Sequence, residues 1–161
     1  MLRFAKFSTL SLTAAILVCC QPPGTFADDA PVSGKFTGDG KEAKLMYVSA
    51  TKGEPSGDEP TITLTFTEKD HSKEKKPYIL AGFGRFGSAL IVTVKMDGTI
   101  IGCTVAHTAH EKSGFASVGS IDMSDFKVVD GKISGKIATK GEVDTFKQKW
   151  EVKISFSTKA P

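Results

Sequence analysis

The chain has 161 residues, with 21 Lys and Arg against 18 Asp and Glu, which is one domain's worth of polypeptide. Arg3 and Lys6 fall within the first 27 residues, which contain no acid, so the remaining 134 residues carry 19 basic and 18 acidic side chains. That near-neutral balance gives no support for a nucleic-acid or bulk polyanion partner.

The first 27 residues read as an export signal. Arg3 and Lys6 supply a basic start, Phe7 to Val18 is an uncharged run of apolar and small residues, and Pro22-Pro23-Gly24 breaks any helix before Thr25-Phe26-Ala27. A basic start, a short apolar middle and a small-residue cleavage site define a secretory leader, and the run is shorter than the roughly 20 residues that a membrane-spanning helix requires. The mature chain is therefore expected to begin near Asp28 and to be secreted or periplasmic. Leu17-Val18-Cys19-Cys20 also resembles a lipoprotein signal, with Val18 or Cys19 where Gly, Ala or Ser usually precedes the lipidated cysteine. In that alternative Cys20 anchors the domain to a membrane. Cleavage after Ala27 leaves Cys103 as the one thiol, with no internal disulfide, and a core of this size holds a fold without one.

From residue 28 onward the sequence predicts a single all-β domain. Period-2 alternation and turn residues place strands near 32–37, 43–50, 61–67, 78–83, 89–96, 100–107, 117–123, 126–129, 132–139 and 147–157. In Thr61–Thr67 the residues Ile62, Leu64 and Phe66 point inward and the threonines toward water. The Ala89–Met96 run is apolar at both parities, as in a central strand covered on both faces. Ile101, Cys103 and Val105 form another inward set. Asp39-Gly40, Asp97-Gly98 and Asp130-Gly131 are hairpin signals in which both residues take positive φ. Lys52–Pro60 and Glu68–Pro77 read as solvated loops, with His71 in water. No helical period of sufficient length is present. Evenly spaced antiparallel strands with hairpin turns predict a two-sheet β-sandwich of about nine to ten strands, with a small β-barrel as the alternative.

Candidate chemistry is sparse. Gly82-Phe83-Gly84-Arg85-Phe86-Gly87 matches the dinucleotide glycine pattern, but a strand-like run follows it where that mechanism needs a helix N-terminus. It reads instead as a glycine-loosened turn. Phe83 and Phe86 either plug the end of the core or contact a partner or a glycan ring, with Arg85 as a polar handle. His107, His110 and Glu111 are the one clustered set of metal-type ligands, able to converge only in a loop. Cys103 reads as a buried small hydrophobe rather than a nucleophile. A hairpin turned at Asp97-Gly98 brings the outer ends of its strands together, gathering Phe83, Arg85, Phe86, His107, His110 and Phe115 at one pole.

These features predict an exported, non-catalytic β-sandwich that acts as a binding or cell-envelope interaction module. Phe83, Arg85, Phe86 and Phe115 are its ligand- or partner-binding candidates. The expected partner is a protein or a glycan, with no cofactor, no nucleic acid, and a membrane only through lipidation at Cys20. One alternative is a metal-binding protein or metal-dependent enzyme using His107, His110 and Glu111. Another is an envelope subunit that self-associates through its strand edges.

Overall fold

The structure is a computed structural model and describes residues 31–161. The leader, Cys19, Cys20 and the expected mature start at Asp28 lie outside the described residues. Eleven strands and one short helix follow in the order β1 (Val32–Gly38), β2 (Lys41–Ala43), β3 (Tyr47–Lys52), β4 (Thr61–Thr67), α1 (Pro77–Gly82), β5 (Ala89–Lys95), β6 (Ile100–Ala106), β7 (Phe115–Ala116), β8 (Ile121–Val129), β9 (Lys132–Thr139), β10 (Val143–Thr145) and β11 (Gln148–Lys159). They build two antiparallel sheets. One runs β2-β1-β11-β9-β8, with β10 also paired to β11, and the other runs β3-β4-β5-β6-β7.

The sheets pack face to face, so the fold is a β-sandwich and not a barrel. Alternation explains why: Phe36, Ile133, Ile137, Trp150, Val152, Ile154 and Phe156 project from the first sheet, and Ile62, Leu64, Phe66, Leu90, Val92, Val94, Cys103 and Val105 from the second, into one core. Phe66 meets Phe156 across it edge to face, with ring centroids 5.2 Å apart, the geometry that aromatic quadrupoles favour.

Turn chemistry sets the hairpins. Asp39-Gly40 (φ 46° and 74°) and Asp130-Gly131 (φ 50° and 71°) are both left-handed, as two-residue hairpins require. At Asp97-Gly98 only the glycine is, at φ 88°. The Gly98 N–H donates to the Lys95 carbonyl (3.0 Å), and the Asp97 carboxylate accepts the Thr99 N–H (2.8 Å). This is a type I turn closed by a left-handed glycine rather than the expected doubly left-handed pair.

Several strand assignments are corrected. Residues 78–82 are helix and Phe83 caps it, in place of the expected strand: Pro77 opens α1, where its fixed φ and missing N–H suit the first turn. The helix lies on the outer face of the second sheet, where Tyr78, Leu80 and Ala81 pack with Phe86, Ala89, Ile91 and Ala106. This cover, with the loop leading into it and the Gly53–Glu54 segment that lies against Thr61 and Thr63, accounts for a second correction: all seven residues of β4 are buried, Thr61, Thr63, Thr65 and Thr67 included. The expected 43–50 strand is split, because the chain crosses between sheets at Lys44–Met46 and delivers Leu45 to the core. Ile101 is not inward. A bulge shifts the register so that Thr93 faces Gly102 and Val94 faces Ile100, and Ile100 takes the core position. Only Phe115–Ala116 is strand ahead of Ile121, because Gly119 turns the chain at φ 83°. The apolar two-sided reading of β5 holds, with Ala89 and Ile91 covered on one face and Leu90, Val92 and Val94 on the other.

Candidate functional site

One pole of the sandwich collects the loops that carry the candidate residues. The β5–β6 hairpin aligns Ala89 with Ala106 at its open end, so the segments just outside these residues are neighbours. The Ser88 hydroxyl accepts the Thr108 N–H (3.1 Å) and pairs with the Thr108 hydroxyl (3.2 Å). Farther out, the backbones at Gly114 and Gly82 touch, and a Cβ at Gly114 would meet the Gly82 carbonyl oxygen. The 82–88 and 107–115 segments are thus joined.

Their side chains separate into three environments. Phe86 is buried in the outer cluster under α1, its ring centroid 5.9 Å from that of His71. Phe83 and Arg85 are exposed, Phe83 at 85%. Phe115 is half-buried at the rim of the main core, with His110 5.4 Å away and Phe146 6.2 Å away between ring centroids. Phe146 escaped sequence reading. It sits in the two-residue β10–β11 turn, Phe146-Lys147, with φ of 56° and 64°, and is 73% exposed. Neither residue favours the left-handed region. The turn is fixed by the Asp144 carboxylate, which accepts the Lys147 N–H (3.0 Å). Its sequence signal was limited to a short gap between period-2 runs.

His107 and His110 do converge, with ring centroids 5.2 Å apart, and both are buried. Their hydrogen bonds fix the tautomers. His107 Nδ1 accepts the Ala109 N–H (3.1 Å), which puts the proton on Nε2. His110 Nε2 donates to the Lys149 carbonyl (3.0 Å), which leaves Nδ1 bare. His107 Nε2, His110 Nδ1 and the nearby Gln148 Nε2 have no protein partner. A metal needs lone pairs, and of the two rings only His110 Nδ1 offers one that is unengaged. Glu111 is exposed. Among the described residues, no three His, Cys, Asp or Glu side chains group as metal ligands.

Burial lowers the pKa of His107, the proximity of His110 lowers it further, and Glu68 and Asp39 oppose the shift. Phe36 stacks edge-on against the His107 ring at 5.1 Å. Gly38 closes the pair from behind: a Cβ there would enter the His107 ring and come within 2.7 Å of His110 Nε2. Gly38→Ala is therefore expected to destabilise the fold by about 1–3 kcal/mol, the usual cost of overpacking. Thermal denaturation checks this, and an unchanged melting temperature would contradict the close approach.

His71 is not solvated. Its Nδ1 lies 2.6 Å from the Thr67 hydroxyl and its Nε2 2.7 Å from the Ser49 hydroxyl. Because the Thr67 hydroxyl donates to the Lys69 carbonyl (2.7 Å), it accepts from Nδ1–H, and Nε2 accepts from Ser49. Burial lowers the His71 pKa, opposed by Asp70. Cys103 is buried, and desolvation pushes its pKa up to about 12, so its sulfur stays a protonated thiol at neutral pH.

In comparisons with known proteins, no family model, no curated protein and no solved structure matches this chain.

Proposed function

We propose that this chain is an exported, non-catalytic binding module that engages a protein or glycan partner through the pole bearing Phe83, Phe115 and Phe146. One observation carries the reading: two phenylalanines stand 85% and 73% exposed on loops tied together through Phe115 and the Gly82–Gly114 contact. Aromatic side chains give up the most free energy when left in water, and they anchor interfaces out of proportion to their number. Phe146 is held out on a backbone that two non-glycine residues adopt at a cost. Arg85 and Lys147 supply polar rims beside the two rings. Phe86, buried under α1, supports the loop and does not touch the partner. The non-catalytic part of the reading rests on the protonated Cys103 thiol and on the burial of His107 and His110, each fixed through one ring nitrogen by a structural hydrogen bond. The export part rests on the leader sequence.

The test is co-sedimentation of the mature protein with cell-envelope material from its source, comparing the native chain with a Phe83→Ser/Phe146→Ser double variant. The expected result is saturable binding by the native chain and at least tenfold weaker binding by the variant, at equal melting temperature. Equal binding by the two proteins would sink the assignment to this pole, and absence of saturable binding by the native chain would sink the module reading.

A further inference from the structure

We propose that the outer face of the first sheet is a second binding surface, and that it takes an extended acidic polysaccharide. The residue pairing of β1, β11, β9 and β8 brings six lysines to this one face: Lys35, Lys127, Lys132, Lys136, Lys153 and Lys159. Two cross-strand pairs set lysine directly against lysine, Lys35 with Lys153 and Lys132 with Lys159. Like charges opposite one another on adjacent strands work against the fold. Neither Lys35 nor Lys153 makes an ion pair with a described residue. The acids nearby do not relieve them: Asp125 pairs with Lys136 (2.7 Å) and Asp122 with Lys140 (3.3 Å), and Glu151 sits half-buried opposite Thr37.

Three of the lysines, Lys35, Lys136 and Lys153, line a trough of about 590 Å³ together with Ser33, Ser124, Ser155 and Glu151. Ser33, Ser155, Lys136 and Ser124 form a continuous row across four strands. The row sets three hydroxyl groups and one ammonium group in line, the adjacent row sets Lys35 against Lys153, and the strand spacing is roughly 4.8 Å.

The lining chemistry selects among polyanions. It has no aromatic residue, so it lacks the stacking platforms used for single-stranded nucleic acid. It has no arginine, the residue suited to bidentate grip on phosphate. The trough lining presents no protruding apolar side chain of the kind that enters a bilayer, and the exposed Val129 lies outside it, on the edge strand beside Lys132. Point-charge ammoniums of Lys35, Lys136 and Lys153 set among the hydroxyls of Ser33, Ser124 and Ser155 fit a polymer that carries both carboxylates and hydroxyls. The near-neutral composition of the chain concealed this face, because net charge does not reveal that lysines from four strands fall on one side of a sheet.

The test measures binding of the mature protein to polygalacturonate, with neutral dextran, a DNA duplex and anionic phospholipid vesicles as comparators. Polygalacturonate is expected to bind and dextran not to. Affinity should fall with salt on a log–log slope of roughly 2 to 3, as about three lysines displace counterions. Lys153→Glu provides the discriminating variant. It converts the Lys35–Lys153 repulsion into attraction, so the melting temperature should hold or rise while affinity drops about tenfold or more at low salt. Reduced binding with an unharmed fold separates a lost contact from lost structure. The Phe83→Ser/Phe146→Ser variant should bind polygalacturonate as the native chain does, which separates this surface from the aromatic pole. Unaltered affinity in Lys153→Glu, or preferential binding to DNA or vesicles, would overturn the inference.

Discussion

Replacing Phe66 with Ala is expected to cost about 3–5 kcal/mol of folding stability, the range for a large aromatic removed from a packed core. Phe66 has no solvent exposure. It lies on β4 between Val48 of β3 and Leu90 of β5, and it bridges to the opposite sheet through Phe156. Truncation would open a void that both sheets border, and two sheets stiffened by hydrogen-bonded ladders have little freedom to collapse into it. Domains of this size are stable by about 5–15 kcal/mol, so the loss is a large share of the whole. Urea unfolding measures it as a lower midpoint at unchanged slope. Phe83→Ala, at an exposed position, should stay within about 0.5 kcal/mol of the parent. A loss below about 1 kcal/mol for Phe66→Ala would mean that the sheets do not meet there as described.

Stability is expected to fall as pH drops below about 6.5, in a step set by buried histidines. The sign follows from linkage. His71 and His107 have folded-state pKa values below the ordinary histidine value, chiefly through burial. The unfolded chain therefore binds protons first as pH falls through about 6.5, and the folded state loses stability until its own lower pKa values are passed. Above the unfolded pKa this loss is absent. At His107 protonation also breaks structure, because Nδ1 must surrender the Ala109 N–H it now accepts. A second, lower window belongs to Asp70, Asp97 and Asp125. Hydrogen bonds from Ser72, Thr99 and Lys136 hold their pKa values below 3.8, so any support they give is present above that value and lost below it. Melting temperature against pH locates the first step. Imidazole proton shifts followed through a titration assign it, and titration of His71 and His107 at or above pH 6.5 would refute the burial argument.

The sandwich was legible because its core strands alternate cleanly and its turns use Asp-Gly. Trp150, Val152, Ile154 and Phe156 face inward as their period requires. What failed depended on neighbours that the period does not encode. The threonines of β4 have the parity of water-facing residues, and α1, the loop before it and the Gly53–Glu54 segment cover them. The helix itself is six residues long, too short for a 3.6-residue period to register. His71 sits in a charged run, yet two hydroxyls from different strands draw it in. Ile101 has the parity of Cys103, and a one-residue bulge reverses it. The joining of the Gly82–Gly87 and His107–Phe115 segments followed from hairpin geometry alone, but hairpin geometry did not reveal that Phe86 turns inward while Phe83 turns out. Phe146 was missed because Phe-Lys is not a turn-forming pair. The lysine face requires knowledge of which strands adjoin, and net charge erases it.

The pairing of β1 with β11 has a consequence in time. The second sheet is assembled from strands consecutive along the chain, so each can zip onto its predecessor as it is made. The first sheet begins with the earliest strand and seats it against the last, while β11 also holds β9 and β10. Synthesis releases Val32–Gly38 long before Gln148–Lys159, so the first sheet stays unfinished until β11 has emerged. A nonsense codon or protease cut that removes β11 would strip β1, β9 and β10 of a shared partner at once and present their bare edges to other chains.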